Sequence, residues 1–460
     1  MRRLFGTDGI RGVANHFPMT VEMAVAVGRA VAISFAGKQN AGLATVLIGK
    51  DTRESGDMLE SAVSAGICSM GMDATLAGVM PTPGLAYLTV LQQAYAGIVI
   101  SASHNPYMDN GIKIFDGQGY KLSLSRENDL EAEIFSFLEK ADSVKKHSSS
   151  TGRIIRLADG ESCYAEFLNN AGKIFPDADR GDWDGTKDLK LVLDCANGAT
   201  AVVARKLFPQ ATILSDLPDG KNINDQCGSE HPEALCRQVV NEKAIVGFAF
   251  DGDGDRVIAV DETGDILSGD RILCICAEYL KTHGLLRNNT VVSTIMSNAG
   301  LSRALRDRGI NHVTTDVGDR HVLEKIITCG ACLGGEDSGH IIFSEYQTTG
   351  DGLLTALILC HVIARTRKPL SALATCMIVF PQKIVNVAVR DKPDLLSLES
   401  VQKEIRTVES IIGHSGRVLV RYSGTQPLCR VMVEAASADQ AQKSAERIAD
   451  SIRSVIGTGA

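Results

Sequence analysis

Residues 244–256, "AIVGFAFDGDGDR", pass from an apolar run into Asp251, Asp253 and Asp255 at alternate positions with glycines between them. In an extended segment a period of two turns side chains to one side, so the three carboxylates can converge on one point. Each pair at ~4 Å repels by about 4 kcal/mol at an effective dielectric of 20, and the neighbouring Arg256 cannot neutralise all three. A hard divalent cation with oxygen ligands, Mg²⁺ or similar, resolves that repulsion. A solvated acidic turn is the bland alternative.

Two other readings start from the same residues. "DGDGDRVIAVDE" puts Asp at positions 1, 3 and 5 and Glu262 at position 12 of an EF-hand loop, but Arg256 stands at position 6, where the sharp turn needs glycine. The run before it also reads as strand, not helix. Strand followed by D-x-D-G matches the aspartyl nucleophile of haloacid-dehalogenase-like phosphotransferases, except that Asp255 occupies a place where that motif carries Thr or Val.

A second polar cluster follows another apolar run in "AGIVISASHNP", residues 96–106. Gly97 to Ile100 read as a buried strand, and Pro106 forbids a regular helix directly after it. Ser101 and Ser103 therefore stand on a loop at a strand's carboxyl end, where serines often bond only their own backbone. A serine hydrolase would need a G-x-S-x-G elbow, which the chain lacks, and His104, adjacent in sequence, points away from Ser103 and makes a poor triad base. A phosphoryl carrier asks instead for an exposed hydroxyl, a divalent cation and cationic clamps. Arg11 in "FGTDGIRG", Lys113 in "NGIK" and Arg256 can supply the clamps. The late loop "RYSGTQPLCR" sets Arg421, Ser423, Gly424 and Thr425 between two apolar strands. Guanidinium, hydroxyls and backbone amides suit a phosphate dianion, although a plain hairpin loop has the same look. "LGGEDSGHIIF" adds Glu336, Ser338 and His340 ahead of a strand, a carboxylate, hydroxyl and imidazole able to grip sugar hydroxyls.

These loops need elements to hold them. Short apolar strands alternate with helix-period segments through most of the chain, the pattern of α/β domains, and in open α/β sheets ligands sit beyond the carboxyl ends of strands. After about residue 370 the texture changes to a smaller α+β pattern, with strands around "IVNVAVRD" and "RVLVRYSGTQPLCRVMVEA" and helix-like stretches at 395–412 and 437–456. A length of 460 residues suggests about three domains on length alone. The formal net charge of -8 offers no global field for nucleic acid or anionic membrane, so an anionic substrate must be held by local arginines. "MRRLFGTDGIRG" has no apolar run behind its two basic residues, and "LLTALILCHVIA" is too short to span a bilayer; a cytoplasmic protein is expected. The twelve scattered cysteines read as reduced, mostly buried thiols, with Cys274/Cys276 and Cys329/Cys332 the only close pairs and no second pair to complete a zinc site.

Together "FGTDGIRG", "SASHNP", "DGDGDR", "GEDSGH" and "RYSGTQPLCR", in this order and at these separations, resemble the α-D-phosphohexomutase superfamily along the whole chain. "FGTDGIRG", "SASHNPYMDNGIK", "PDGKNIN" and "STIMSN" are most similar to its bacterial branch acting on glucosamine phosphates, which feeds UDP-N-acetylglucosamine and the cell envelope. The resemblance implies four domains around a central cleft: three α/β domains of one type, at 1–150, 151–255 and 256–370, and an α+β domain at 371–460. It makes Ser103 the phosphoserine and has Asp251, Asp253 and Asp255 bind one Mg²⁺ together with an oxygen of that phosphoserine. Glu336 and Ser338 would hold the sugar. Arg421, Ser423, Gly424, Thr425 and Arg430 would hold the phosphate that is not reacting. The moving phosphoryl would be stabilised by Arg11, Lys113 and Arg256, with His104, Lys113 and His340 as candidate bases. The implied partners are small sugar phosphates, with neither nucleic acid nor membrane; a homodimer is one candidate assembly, on which the sequence itself is silent. In the implied reaction phosphoserine 103 phosphorylates O1 of glucosamine 6-phosphate, and the 1,6-bisphosphate turns around and returns its 6-phosphoryl group, leaving glucosamine 1-phosphate. Two departures bear on the sugar: Gln426 replaces the Glu of the family's S-G-T-E-P loop, and Asp337 fills the variable place of G-E-x-S-G-H. A phosphomannomutase or phosphoglucomutase is the alternative within the class, and an inactive regulatory homologue the alternative outside it.

Overall fold

A computed structural model of the chain describes residues 4–6, 8–35, 45–139, 150–172, 189–413, 415–423 and 426–458. The chain divides into two compact units, Met1–Met296 with Ile310–Ala374, and Ser297–Gly309 with Thr375–Ala460.

The first unit is built on three sheets. In the first, β1 (Phe5–Gly6), β2 (Gly9–Val13), β3 (Thr45–Lys50), β4 (Asp73–Val79), β5 (Ala96–Ile100), β6 (Asp109–Asp116) and β7 (Ile154–Arg156) lie in the order β1-β2-β6-β5-β3-β4-β7. The second holds β8 (Leu191–Asp194), β9 (Thr212–Leu214), β10 (Val246–Phe250), β11 (Val257–Asp261) and β12 (Ile266–Leu267), ordered β12-β11-β10-β8-β9. The third holds β13 (Thr290–Thr294), β14 (Asn311–Thr315), β15 (Leu333–Gly335) and β16 (Ile341–Phe343), ordered β14-β13-β15-β16.

One motif recurs in all three. Three parallel strands, β4-β3-β5, β9-β8-β10 and β14-β13-β15, are each closed by an antiparallel strand, β6, β11 and β16. The central strands read as unbroken apolar runs because parallel strands bury both faces: every residue of β5, β8, β10 and β13 is buried. The connection from the third parallel strand to the antiparallel one thus leaves the carboxyl end of a buried strand, where α/β sheets place their ligands. The serine loop after Ile100, the aspartate loop after Phe250 and the Glu336–His340 loop after Gly335 are these three connections.

The long apolar run lies in the helix Gly352–Thr366, whose residues 352–363 are all buried; it is a core helix, and among the described residues no helix is long and apolar enough to cross a membrane. None of the twelve cysteines is in a disulfide. The sheets run past the expected limits of 150 and 255, because β7 joins the first sheet and the β10–β11 hairpin carries the second to Leu267. The helix Ala299–Asp307 belongs to the second unit: Asn298 exchanges hydrogen bonds with the Phe380 backbone and Glu434 accepts from Ala299 N–H. In that unit β17 (Gln382–Ala388), β18 (Arg417–Tyr422) and β19 (Leu428–Glu434) form an antiparallel sheet ordered β17-β19-β18. Its core packs Val385, Val387, Val431 and Val433 with Val408, Ile448 and Ile452 of the helices Glu399–Ile412 and Ala438–Ile456.

Candidate active site

Ser103 is 1% exposed and holds φ at 55°, a left-handed conformation uncommon for a residue with a Cβ and found where surrounding structure enforces it. The enforcing contacts are explicit. Asp51 accepts from the Ser101 hydroxyl at 2.6 Å, and Ser101 Oγ accepts from Ser103 N–H at 2.9 Å. Buried Arg53 donates to the carbonyls of Ser103 (2.9 Å), Asn105 (2.8 Å), Asp109 (2.9 Å) and Pro106. Asn224 adds an amide donor to Ser103 O from the second sheet's domain at 2.9 Å. Ser101 therefore supports the loop.

Ser103 Oγ donates to Asp251 Oδ2 at 2.5 Å. The aspartate loop comes this close because Gly252 has no side chain: a Cβ there would stand 2.7 Å from Ser103 O. Asp251, Asp253 and Asp255 are all buried, and each offers an oxygen within 4.8 Å of the others'. Burial, then the charges of Asp255 and Asp253, push the Asp251 carboxyl well above the usual range. Lys113, 1% exposed, reaches Asp253 at 2.7 Å, Asp255 at 3.1 Å and Asp8 at 2.9 Å. Burial lowers its proton affinity, but Asp253, Asp255 and Asp8 hold it charged well above the usual lysine range. One ammonium does not satisfy the cluster. Asp253 Oδ1 and Asp255 Oδ1 are buried without a hydrogen-bond partner, which is the donor set a hard divalent cation takes.

A cavity of about 340 Å³ opens before these groups, lined by Asp8, Arg11, His104, Arg256, Glu336 and His340 among others. Arg11 is braced by Asp8 at 2.5 Å and donates to Ala102 O at 3.2 Å. Arg256 donates to His104 Nδ1 at 2.9 Å; burial and this guanidinium lower the proton affinity of His104, whose Nδ1 stands 3.4 Å from Ser103 Oγ. The expectation that His104 turns away from Ser103 is thus corrected: the left-handed Ser103 backbone folds the two side chains together. Glu336 Oε1 accepts from Gly318 N–H at 3.0 Å, whereas Ser338 is exposed and does not line the cavity. His340 lies between Asp255 and Asp319, each 3.6 Å away. Burial opposes charge on His340, but Asp255 and Asp319 raise its proton affinity overall.

In the second unit Arg421 and Arg430 face each other directly across β18 and β19. Like charges opposed across a strand pair are unfavourable, and among the described residues no carboxylate pairs with either. Lys392 adds a third cation, donating to Ser423 O at 2.5 Å. Ser423 Oγ accepts from Gln426 N–H at 3.3 Å. The arrangement suits an anion. Gly424 and Thr425 lie outside the described residues.

The motifs did not mark Asp8, Asp51, Arg53, Lys121, Asp319 or Lys392. Asp51 and Arg53 follow β3 directly, so the rule of looking beyond strand ends applies to them, and Asp8 stands three residues before Arg11. Lys121 pairs with both Asp8 and Asp319 at 2.5 Å, a contact across 198 residues with no local signal.

Models of the phosphoglucomutase/phosphomannomutase domains I, II, III and IV, the first three described as alpha/beta/alpha and the last as C-terminal, match residues 2–140, 164–264, 268–379 and 384–451. The chain belongs to the phosphoglucomutase/phosphomannomutase family. It is an intramolecular phosphotransferase of four domains, three α/β and a C-terminal one, as the motifs implied. A phosphoglucosamine mutase from Syntrophus aciditrophicus is 50% identical over 461 residues, 99% of this chain and 100% of that protein. One from Desulforapulum autotrophicum is 50% identical over 98% of this chain and 99% of its own length. Among solved structures, a family protein from Burkholderia thailandensis superposes with a TM-score of 0.77 at 24% identity, covering 97% of each chain. The Aspergillus fumigatus N-acetylphosphoglucosamine mutase, solved with GlcNAc-6P and magnesium, gives 0.68 at 18% identity over 99% of this chain and 96% of that one.

Proposed function

We propose that the enzyme interconverts glucosamine 6-phosphate and glucosamine 1-phosphate with Ser103 as phosphoryl carrier, in the cytoplasm, supplying UDP-N-acetylglucosamine synthesis. The observation that carries the reading is Ser103 Oγ standing 2.5 Å from Asp251 Oδ2 inside a buried carboxylate cluster. The full-length relatives named phosphoglucosamine mutase supply the sugar. Asp251, Asp253 and Asp255 would hold one Mg²⁺, which when bound supplies positive charge against the phosphoryl oxygens.

The chain's own residues divide the rest of the work. The P–O bond of phosphoserine 103 breaks as one to O1 of glucosamine 6-phosphate forms, and the O1 proton passes to His104 on the cavity wall. Lys113, buried and held charged, acts as a clamp and not as a base, and His340 Nε2 is already engaged by Gly350 N–H. Arg11, Lys113 and Arg256 stabilise charge on the phosphoryl in transit. Glu336 and Ser338 hold the sugar, and Arg421, Ser423, Gly424, Thr425 and Arg430 the idle phosphate. Glucosamine 1,6-bisphosphate then reverses, and Ser103 Oγ takes its 6-phosphoryl group, leaving glucosamine 1-phosphate. Ser338 is proposed to reach the sugar only when substrate draws its loop inward. The first three domains follow the three sheets, divided near residues 150 and 255–267 and ending near 370.

Turnover of glucosamine, mannose and glucose 6-phosphates by the purified enzyme tests the substrate, with glucosamine expected to be preferred. A preference for mannose or glucose would favour the phosphomannomutase or phosphoglucomutase reading and overturn this one. Intact mass should show a partial phosphate adduct, absent in Ser103→Ala. Wild type that stays unmodified after sugar bisphosphate is added refutes the carrier.

A further inference from the structure

The turn at "TGDGL", residues 349–353, takes no part in the reaction as described, yet its acid is among the most completely satisfied in the molecule. Asp351 is 1% exposed. Its Oδ1 caps the helix Gly352–Thr366 by accepting from Leu354 N–H at 2.9 Å, and its Oδ2 accepts from Tyr164 Oη at 2.7 Å and Gln347 Nε2 at 3.0 Å. Tyr164 belongs to the helix Gly160–Gly172. Gln347 Nε2 also reaches Pro83 O at 3.1 Å, in the helix Thr82–Leu91, whose first residue donates to Asp253 from both its N–H (2.8 Å) and its hydroxyl (2.5 Å). One carboxylate thus ties together helices from all three α/β domains.

The residues on either side of it point at the site. Gly350 N–H donates to His340 Nε2 at 2.9 Å, and Gly352 N–H donates to Gly254 O in the aspartate loop at 3.0 Å. Both glycines are required by close approach: a Cβ on Gly350 would lie 2.6 Å from the imidazole Nε2, and one on Gly352 would lie 2.8 Å from Arg256 O. An imidazole nitrogen that accepts from a backbone N–H carries no proton, so the ring proton sits on Nδ1. That is the nitrogen facing Asp255 Oδ1 across 3.6 Å; Asp319 Oδ2 is as far from Nε2, where the nearer Gly350 amide decides the tautomer.

We propose that Asp351 is a positioning residue for phosphoryl transfer. Through the Gly350–Gly352 turn it fixes His340 in the Nδ1–H tautomer toward Asp255 and seats the aspartate loop from behind. Losing the carboxylate weakens the acceptor shared by Tyr164 and Gln347, leaves Gln347 only its bond to Pro83 O, and frees the turn to move. The Gly350 amide then leaves Nε2, and the ring proton is no longer confined to Nδ1. The kinetic consequence rests on the phosphoryl-transfer reading above; the tautomer does not.

The experiment uses full-length protein labelled with ¹⁵N at histidine, as wild type, Asp351→Asn, Gly350→Ala and Tyr164→Phe. In wild type without substrate, His340 should show the imidazole ¹⁵N pattern of a neutral Nδ1–H ring. In Asp351→Asn and Gly350→Ala that pattern should give way to a tautomer mixture. Misplacement of this kind is worth up to about 100-fold in rate, so kcat should fall by about 10- to 100-fold with KM for glucosamine 6-phosphate within about threefold. Tyr164→Phe removes one donor and keeps the carboxylate, so it should shift both readouts in the same direction by less. A kcat loss with an unchanged His340 pattern would mean a merely structural role and would overturn the proposal, as would wild-type values of both in Gly350→Ala. Should Asp351→Asn fail to fold, the other two variants decide in the same terms. Failure of the substrate reading looks different: wild type does not turn over glucosamine 6-phosphate while the imidazole pattern stays as expected.

Discussion

The β10–β11 and β15–β16 connections occupy the same place in sheets of the same strand order, and they are built in opposite ways. In the first, Asp251, Asp253 and Asp255 are buried, and the Ser103 and Thr82 hydroxyls and the Lys113 ammonium bind them directly. In the second, Glu336 is half-buried and Asp337 and Ser338 are exposed, with only His340 drawn into the interior. The difference matches what each loop is proposed to hold. A group that positions charge for phosphoryl transfer gains from low dielectric and fixed geometry, because such interactions strengthen away from water and need no reorganisation. A loop that grips a sugar through one half-reaction and must release it to turn around gains from groups that stay accessible.

The comparison breaks most sharply at Asp251. Asp251→Asn replaces the carboxylate that accepts from the Ser103 hydroxyl with a neutral amide and removes one charged member of the cation set. It should lower kcat on the order of 10³-fold and raise the Mg²⁺ concentration needed for half-maximal rate, as measured by initial rates across a Mg²⁺ titration. On the open loop, Glu336→Gln should act mainly on binding. Losing hydrogen bonds to a charged acceptor predicts a KM for sugar phosphate raised about 10- to 100-fold with a smaller change in kcat. If kcat collapses and KM does not, the two loops do not divide the work in this way.

The same contrast explains what was legible in the chain. Ser103 and the aspartates could be singled out because they sit in short motifs at strand ends, and strand ends can be read from apolar runs, whereas Lys113 lies within β6 and is marked only by its motif. The repeated sheet order was implied by strand–loop–helix recurrence, but its register was not, since pairing is decided by contacts far apart in sequence. The left-handed Ser103 backbone carries no glycine to announce it and depends on Asp51 and Arg53, some 50 residues away. The Asp8–Lys121–Asp319 chain crosses between sheets with no local pattern at all. The helix Ala299–Asp307 reads as part of the third α/β domain, yet the Glu434 carboxylate and the Phe380 backbone draw it into the second unit.

In that unit Arg421 and Arg430 offer a milder test, since the phosphate they are proposed to hold does not react. Arg421→Ala should raise KM by about tenfold with little change in kcat, in keeping with one charge-assisted contact. It should also raise thermal stability slightly at low ionic strength, because the opposed pair is relieved when no anion is present. Differential scanning calorimetry with and without inorganic phosphate reads both signs: without phosphate the variant should unfold higher than wild type, and with phosphate the order should reverse.

The smallest effect concerns Asp351, behind the fixed loop. Burial raises its carboxyl to about 6 despite the bonds from Leu354, Tyr164 and Gln347, from an ordinary value of 3.8. A raised acid binds its proton more tightly when folded. Its contribution to stability is therefore full below the unfolded value and is lost as pH rises through the window from 3.8 to about 6. Within that window the slope is at most about 1.4 kcal/mol per pH unit. Carboxylates such as Asp8, which burial pushes up but Lys113, Lys121 and Arg11 carry well below the usual range, lose stability in the opposite direction at lower pH. The comparison must accordingly be a difference between wild type and Asp351→Asn, followed by hydrogen exchange of the 341–355 segment between pH 4.5 and 6.5. Asparagine cannot titrate, so the wild type's advantage should shrink as pH rises. A constant difference would mean that Asp351 stays ionised throughout, and that its three donors outweigh burial.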